Sequence, residues 1–376
     1  MKYYKASRPK VHDLIHTRLE LLPIWETSQL EGKATLTLSP YFYATDELKL
    51  DAKSMDIQSI QLISDSTNEN LEYNYNSEIL SIQLDKKYSR IEEFQVEIKY
   101  TANPEKVLAE GGAAILDAKG LYFINPDSSE TNKPTQLWTQ GQPESNSVWF
   151  PTIDSPNERM TQEVFITLPE AFKSLSNGTL VYSNYNADDT RTDYWKLDQP
   201  HPPYLAMIAA GNFVKAVQSY TKASGEEIPV EYFVEPEYAN DVFSIFGNTP
   251  EMMSFYSNIL GYDYPWDKYD QVVVRDYVSG AMENTTAVIH GDFVQRTTRE
   301  LIDENHEDVI AHELFHHWFG DLVTCESWGH LPLNESFATY GEYLWAEYKY
   351  GKMEADYRQW ESTQGYFYES KFKLVP

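Results

Sequence analysis

A chain of 376 residues with 58 acidic and 30 basic side chains, net charge −28, has too little clustered Lys and Arg to hold nucleic acid or an anionic membrane surface. Its 41% hydrophobic and 14% aromatic content excludes a disordered polyanion, and its length points to two domains. The single cysteine, Cys325, rules out an intrachain disulfide and a Cys-based zinc site, so any metal must be held by His, Asp or Glu.

The opening MKYYKASRPKVHDLIH lacks the apolar core of a signal peptide, and nowhere do 18 apolar residues run together, so no membrane span is expected. The compartment, cytoplasmic or exported, and the oligomeric state stay open. From residue 17 to about 213 the pattern has period two. Phe94, Val96, Ile98 and Tyr100 alternate with polar neighbours, as do Leu80, Ile82 and Leu84, and 17–22, 33–38 and 164–168 behave alike. This half is expected to be a β domain of two packed sheets or one strongly curved sheet. The apolar run 204–211, YLAMIAAG, follows His201-Pro202-Pro203 and suits a buried strand closing that domain, which places a boundary near 213.

Helical signals follow. Thr249 is placed to cap a helix with Pro250 at its first position; Met252, Phe255, Tyr256 and Ile259 share a face, and Gly261 stops it. QVVVR at 271–275 reads as a strand running into SGAMEN, so the second half mixes α and β. The stretch 304–319 has no internal Gly or Pro and is expected to be a helix ended by Gly320. Within it, His312 and His316 are four apart; at about 100° per residue their imidazoles lie on one face, in reach of a common ion, with Glu313 one step round.

His317 points off that face toward a core or supporting role, and His330 reads as a loop residue. Glu335, in LNESFA, opens a second helical pattern running to about Tyr350 before Gly351. Two helices packed antiparallel would bring it to the ion. Two imidazoles and one carboxylate leave the fourth position of a tetrahedral Zn²⁺ open, the catalytic arrangement, with cobalt and manganese left open by geometry alone.

With these residues the sequence resembles the aminopeptidase N family of zinc metallopeptidases, the gluzincins, whose signature is HExxH, eighteen residues, then Glu. The likeness includes Gly280-Ala281-Met282-Glu283-Asn284 (GAMEN), the segment Trp149-Phe150-Pro151-Thr152-Ile153-Asp154-Ser155-Pro156, and Thr139-Gln140-Gly141-Gln142. It implies an α+β multidomain fold: a saddle-like N-terminal β domain (1–213), then a thermolysin-like mixed α/β catalytic domain (214–376), incomplete at its C-terminal end. It implies one Zn²⁺ held by His312, His316 and Glu335, with Glu313 as general base. Glu283 and Gln142 would hold the free amine of a peptide substrate, and Gly280, Ala281 and Met282 would line its backbone. The reaction implied is release of single N-terminal residues.

Some positions depart from the family pattern. Many members have Glu where Gln142 stands, whereas the leukotriene hydrolase branch has Gln there but GGMEN in place of GAMEN. A leukotriene-type epoxide hydrolase is therefore the alternative reading. A non-catalytic scaffold of the same fold is opposed by the intact His312, Glu313, His316 and Glu335, and an endopeptidase by Glu283. Ser279 replaces a bulkier residue of the first side-chain pocket; Pro332 and Ser336 replace Trp and Gly beside Glu335. The family's oxyanion tyrosine, counted from Glu335, falls past Pro376, and such a donor is worth about 10²–10³ in rate. The chain alone is therefore expected to be weak or inactive; Tyr340, Tyr343, Tyr348 and Tyr350 are expected to be packing residues.

Overall fold

The computed structural model describes residues 8–64, 68–107 and 115–372. Strands fill the N-terminal half as the period-two pattern requires. Eight form one sheet in the order Thr179–Tyr185, Thr190–His201, Met160–Pro169, His12–Ile24, Gln29–Pro40, Phe94–Ala102, Met55–Ile63, Glu69–Asn70. All neighbours pair antiparallel except His12–Ile24 with Met160–Pro169. Phe94, Val96, Ile98 and Tyr100 are buried, as are Leu14, Leu19 and Leu21. The last three change parity along the strand; a register shift between Leu14 and His16 restores the inward face.

Two smaller sheets complete this half. One joins Thr45–Asp51, Ile79–Tyr88 and Tyr73–Tyr75; the other joins Lys173–Ser176, Ile208–Gly211, Gln136–Thr139 and Leu121–Ile124. The strand expected over 204–211 is shorter. Pro203–Leu205 is a 3₁₀ turn and only Ile208–Gly211 is extended. Pro202 and Pro203 have no N–H for a ladder, and the Asn146 amide donates to the carbonyls of Pro203 and Ala206 at 2.7 and 2.8 Å, fixing the turn.

The last sheet has five strands in the order Val214–Thr221, Glu227–Val234, Tyr269–Val274, Ala287–Gly291, Ala281–Met282. The run QVVV is continuously apolar because both faces are covered. Val272, Val274 and Ile289 join the N-terminal core, while Val273 and Val288 meet the helices. Those helices are α1 (Val242–Phe246), α2 (Thr249–Leu260), α3 (Glu307–Phe315), α4 (Pro332–Tyr350) and α5 (Lys352–Phe372). Among the described residues no helix is long and apolar enough to cross a membrane.

Three helix details differ from expectation. In α2, Asn248 is the cap residue and Thr249 lies in the first turn, where its hydroxyl donates to the Phe246 carbonyl at 2.7 Å; Gly261 ends the helix at φ 62°. Met252 and Tyr256 are buried but Ile259 is 46% exposed, so the buried stripe stops a turn early. Helix α3 is shorter than 304–319. Past Phe315 the amides of His317 and Trp318 bond three residues back, to Leu314 and Phe315, and the Asp321 amide closes on the His316 carbonyl. In α4 the buried stripe is Asn334, Ala338, Gly341 and Trp345; Tyr340, Tyr343, Tyr348 and Tyr350 lie off it, and all but the half-buried Tyr343 are exposed, although the Tyr348 ring stacks on Phe255 of α2 at 4.4 Å.

Gly341 sets the distance between α3 and α4. A Cβ there would lie 2.6 Å from Cγ of Phe315, a buried ring with no free direction to move. Gly341→Ala is expected to destabilise the fold by about 1–3 kcal/mol, read as a lower midpoint in urea unfolding; an unchanged midpoint would mean the helices separate freely.

Candidate metal centre and active site

Helix α3 is held by Ile310, Ala311, Leu314 and Phe315 in the helical core, which leaves His312 and His316 facing away from it. The spacing of four brings their Nε2 atoms to 3.1 Å. His312 Nδ1 lies 2.6 Å from Glu342 Oε1, and His316 Nδ1 lies 2.9 Å from the Phe319 carbonyl. Carboxylate and carbonyl only accept, so both Nδ1 atoms donate, and the two Nε2 atoms face one point, where a cation would meet their lone pairs. Glu335, in the first turn of α4, places Oε2 at 3.5 Å from His312 Nε2 and 3.7 Å from His316 Nε2.

The three ligand atoms open on a cavity of about 560 Å³ that Gln142, Ser279, Gly280, Ala281, Glu283 and Glu313 also line. Glu313 is 5% exposed, and its Oε2 has no hydrogen-bond partner among the described residues. Ligand atoms of Glu283, Glu313 and His316 lie within 4.8 Å of one another.

So many acids in one apolar-walled cavity disturb each other. Burial pushes the Glu313 carboxyl up to about 8 against the pull of His312, with Glu335 and Glu342 adding to the rise. Burial, reinforced by Glu335 and Glu313, holds Glu283 well above the usual carboxylate range. At His312 burial opposes the charge, but Glu335 and Glu342 outweigh it and lift the imidazole to about 11. Burial and the neighbouring His312 push His316 down to about 4. Glu335 is half-buried, and against that partial burial His312, His316 and the Gln142 amide hold it below its ordinary value. The cluster crowds four carboxyl groups, Glu283, Glu313, Glu335 and Glu342, around two imidazoles.

Glu283 reaches the cavity from a loop fixed at several points. Ala281–Met282 is the edge strand of the five-stranded sheet, and alternation sends Ala281 and Glu283 to the cavity and Met282 to the other side. Met282 is 1% exposed in an apolar cluster with Tyr204 and Leu205; it does not line the cavity, contrary to the expected substrate contact. Gly280 does line it, and a Cβ there would meet nothing within 4 Å. Beyond the edge strand, Thr286 sits at φ 66°, a conformation that costs a β-branched residue about 1–3 kcal/mol. Three hydrogen bonds offset it. Its amide donates to His317 Nε2 at 3.1 Å, its hydroxyl accepts from the Gly178 amide at 2.8 Å, and its carbonyl accepts from the Asp270 amide at 3.0 Å.

His317 is thus buried and off the metal face; its Nδ1 donates to the Glu313 carbonyl at 3.1 Å. His330 lies in a short 3₁₀ turn, Trp328–His330, away from the three ligand atoms. Two contributors escaped the sequence reading. Glu342, which orients His312, carried a usable signal: it follows Glu335 by seven residues, two turns along the same face of α4. Tyr204, whose hydroxyl lies 3.5 Å from Glu283 Oε1, carried none, because it comes from the N-terminal half in what reads as an apolar strand.

Known proteins share this arrangement of sequence and fold. The model of the peptidase M1 N-terminal domain matches residues 4–205 and that of the peptidase family M1 domain residues 245–373. The chain is 33% identical over 233 residues to aminopeptidase N of Streptomyces lividans, covering 60% of this chain and 26% of that protein. It is 27% identical over 345 residues to leucine aminopeptidase 2 of Candida glabrata, covering 90% and 48%. The chain therefore spans about half or less of the length of these relatives. In fold it is similar to a mutant two-domain M1 zinc metallopeptidase bound to L-tryptophan, at TM-score 0.77 and 20% identity over 96% of this chain and 77% of that one. A mutant M1 zinc metallopeptidase from Deinococcus radiodurans, bound to a Tyr-Ser-Ala substrate, aligns at TM-score 0.72 and 19% identity over 92% and 73%. The chain belongs to peptidase family M1, the aminopeptidase N family of zinc metallopeptidases.

Proposed function

We propose that the chain carries the metal centre and amine anchor of a zinc aminopeptidase that removes single residues from peptide N-termini. One observation carries this reading: His312, His316 and Glu335 converge on a cavity that also holds Glu313 and Glu283. The donor set fits zinc. Ligand atoms about 2 Å from a tetrahedral Zn²⁺ stand roughly 3.3 Å apart, close to the 3.1, 3.5 and 3.7 Å seen here. Four carboxyl groups, Glu283, Glu313, Glu335 and Glu342, crowded around two imidazoles also favour a bound cation. A division of the chain near residue 213 belongs to the same proposal, supported by the start of the five-stranded sheet at Val214.

Bound zinc supplies a Lewis acid that polarises the scissile carbonyl and brings the pKa of water to about 7. Glu313, buried and with one oxygen unpartnered among the described residues, accepts the proton of the attacking water and returns it to the leaving nitrogen. Glu283, with Gln142, pairs with the substrate's α-ammonium. An anion fixed one residue's length from the metal admits only the first peptide bond to the reacting position. The free edge of Ala281–Met282, with open space beside Gly280, accommodates an extended backbone.

The expected result is metal-dependent release of free amino acids from short peptides, blocked when the peptide's N-terminus is acetylated. Mass spectrometry of the products checks it: cleavage inside an acetylated peptide would make the site an endopeptidase, and no cleavage by any protein containing the chain would sink the catalytic reading.

A further inference from the structure

We infer that Tyr204, contributed by the N-terminal half, is a positioning residue that fixes the Glu283 carboxylate at the distance from the metal ligands where a substrate's α-ammonium meets it. This rests on the aminopeptidase reading and adds to it the means by which the one-residue spacing is held. The argument begins with the turn. Pro203–Leu205 is pinned by the Asn146 amide. Gly141, next to Gln142, packs so tightly on it that a Cβ there would lie 2.1 Å from the Tyr204 carbonyl oxygen. The Tyr204 side chain is fully buried, its ring edge-on to Trp328 at 4.9 Å and clustered with Leu205 and Met282. The turn is therefore fixed against both the Gln142 segment and the GAMEN strand.

The hydroxyl then has a determined direction. Asn334 Oδ1 accepts from the Cys325 amide at 3.1 Å, so its Nδ2 is the group facing Tyr204, and it donates to the hydroxyl oxygen at 3.1 Å. The single hydroxyl hydrogen is left to point at Glu283 Oε1, 3.5 Å away. That contact is long, as such bonds are before a ligand closes a site. Asn334 directly precedes Glu335. One chain of polar contacts, Asn334 to Tyr204 to Glu283, thus spans from the residue beside a metal ligand to the amine anchor, and all three are buried. A carboxylate held only by its own loop could swing; one tied to α4 keeps its separation from the ligand on α4.

The test compares two ligands of zinc-loaded protein, leucine hydroxamate and 4-methylpentanohydroxamate, which differ only by the amine. Their affinity ratio reads the anchor and cancels any change at the metal. Tyr204→Phe keeps the ring packing and removes the hydroxyl; it is expected to reduce the preference for the amine by about tenfold, with the amine-free ligand bound as before. For aminoacyl anilides KM is expected to rise while kcat holds. In a Glu283→Gln background the same change should have no further effect on the ratio. If Tyr204→Phe does not fold, Asn334→Ala supplies the same readout, since it frees the hydroxyl to turn. A wild-type preference retained in a folded variant overturns this inference alone. No preference in the wild type overturns the amine-anchor reading as well.

Discussion

Glu335→Ala protein is expected to leave a desalting column without stoichiometric zinc, while the wild-type chain retains one ion. Glu335 is the one carboxylate whose oxygen lies within 4 Å of both Nε2 atoms among the described ion pairs. Its removal leaves two imidazoles on one helix, and a two-ligand site holds a borderline-soft cation far less firmly than three ligands of fixed geometry. Loss of a mere supporting residue around a metal weakens affinity about 10–100-fold, so loss of a ligand should exceed that. Because an ion bound to the native state alone stabilises it by mass action, a chelator should lower the melting temperature of the wild type and leave that of Glu335→Ala unmoved. Metal analysis by mass spectrometry with and without chelator decides the matter. An alanine variant that keeps its zinc would show that the ion, if any, sits elsewhere.

Glu313→Gln should separate binding from chemistry. The amide is nearly the same shape as the acid, so it fits the same 5% exposed position on α3, but it cannot take a proton from water. Zinc content and hydroxamate affinity should stay close to wild type, while kcat for aminoacyl anilides falls by about 10²–10⁴. Single-turnover measurements on zinc-loaded protein check it in any active protein that contains the chain. A Gln variant working within about tenfold of wild type would remove Glu313 from the proton path and leave some other buried acid, Glu283 first, to be considered.

Much of this site was open to a reader of the sequence because helical spacing is local. His312 and His316 follow from one repeat of the α-helix, and the strands of the N-terminal half follow from period-two burial such as Phe94, Val96, Ile98 and Tyr100. Antiparallel packing of a second helix extended that reading to Glu335, and the family resemblance extended it to Glu283. The misjudged elements have local causes too. The 204–211 run is apolar throughout, so it reads as a strand, but two prolines and the distant Asn146 make its first part a turn. The tyrosines of α4 are large and aromatic, so they read as packing, yet the buried stripe is the one holding Gly341, and Tyr348 meets Phe255 only from its partly exposed border.

By itself the sequence determined the period of each element, the pairing of two histidines on one helical face and the acidic character of the chain, since these depend on covalent geometry and composition alone. Tertiary structure decided the rest. Glu342 orients His312 across thirty residues, Met282 turns from the cavity because its strand pairs with Ala287–Gly291, and Tyr204 reaches Glu283 from 79 residues away. Each of these contacts exists only where helices and sheets approach to a set distance, as α3 and α4 do over Gly341, and no periodicity along one chain records how near another part of it will come.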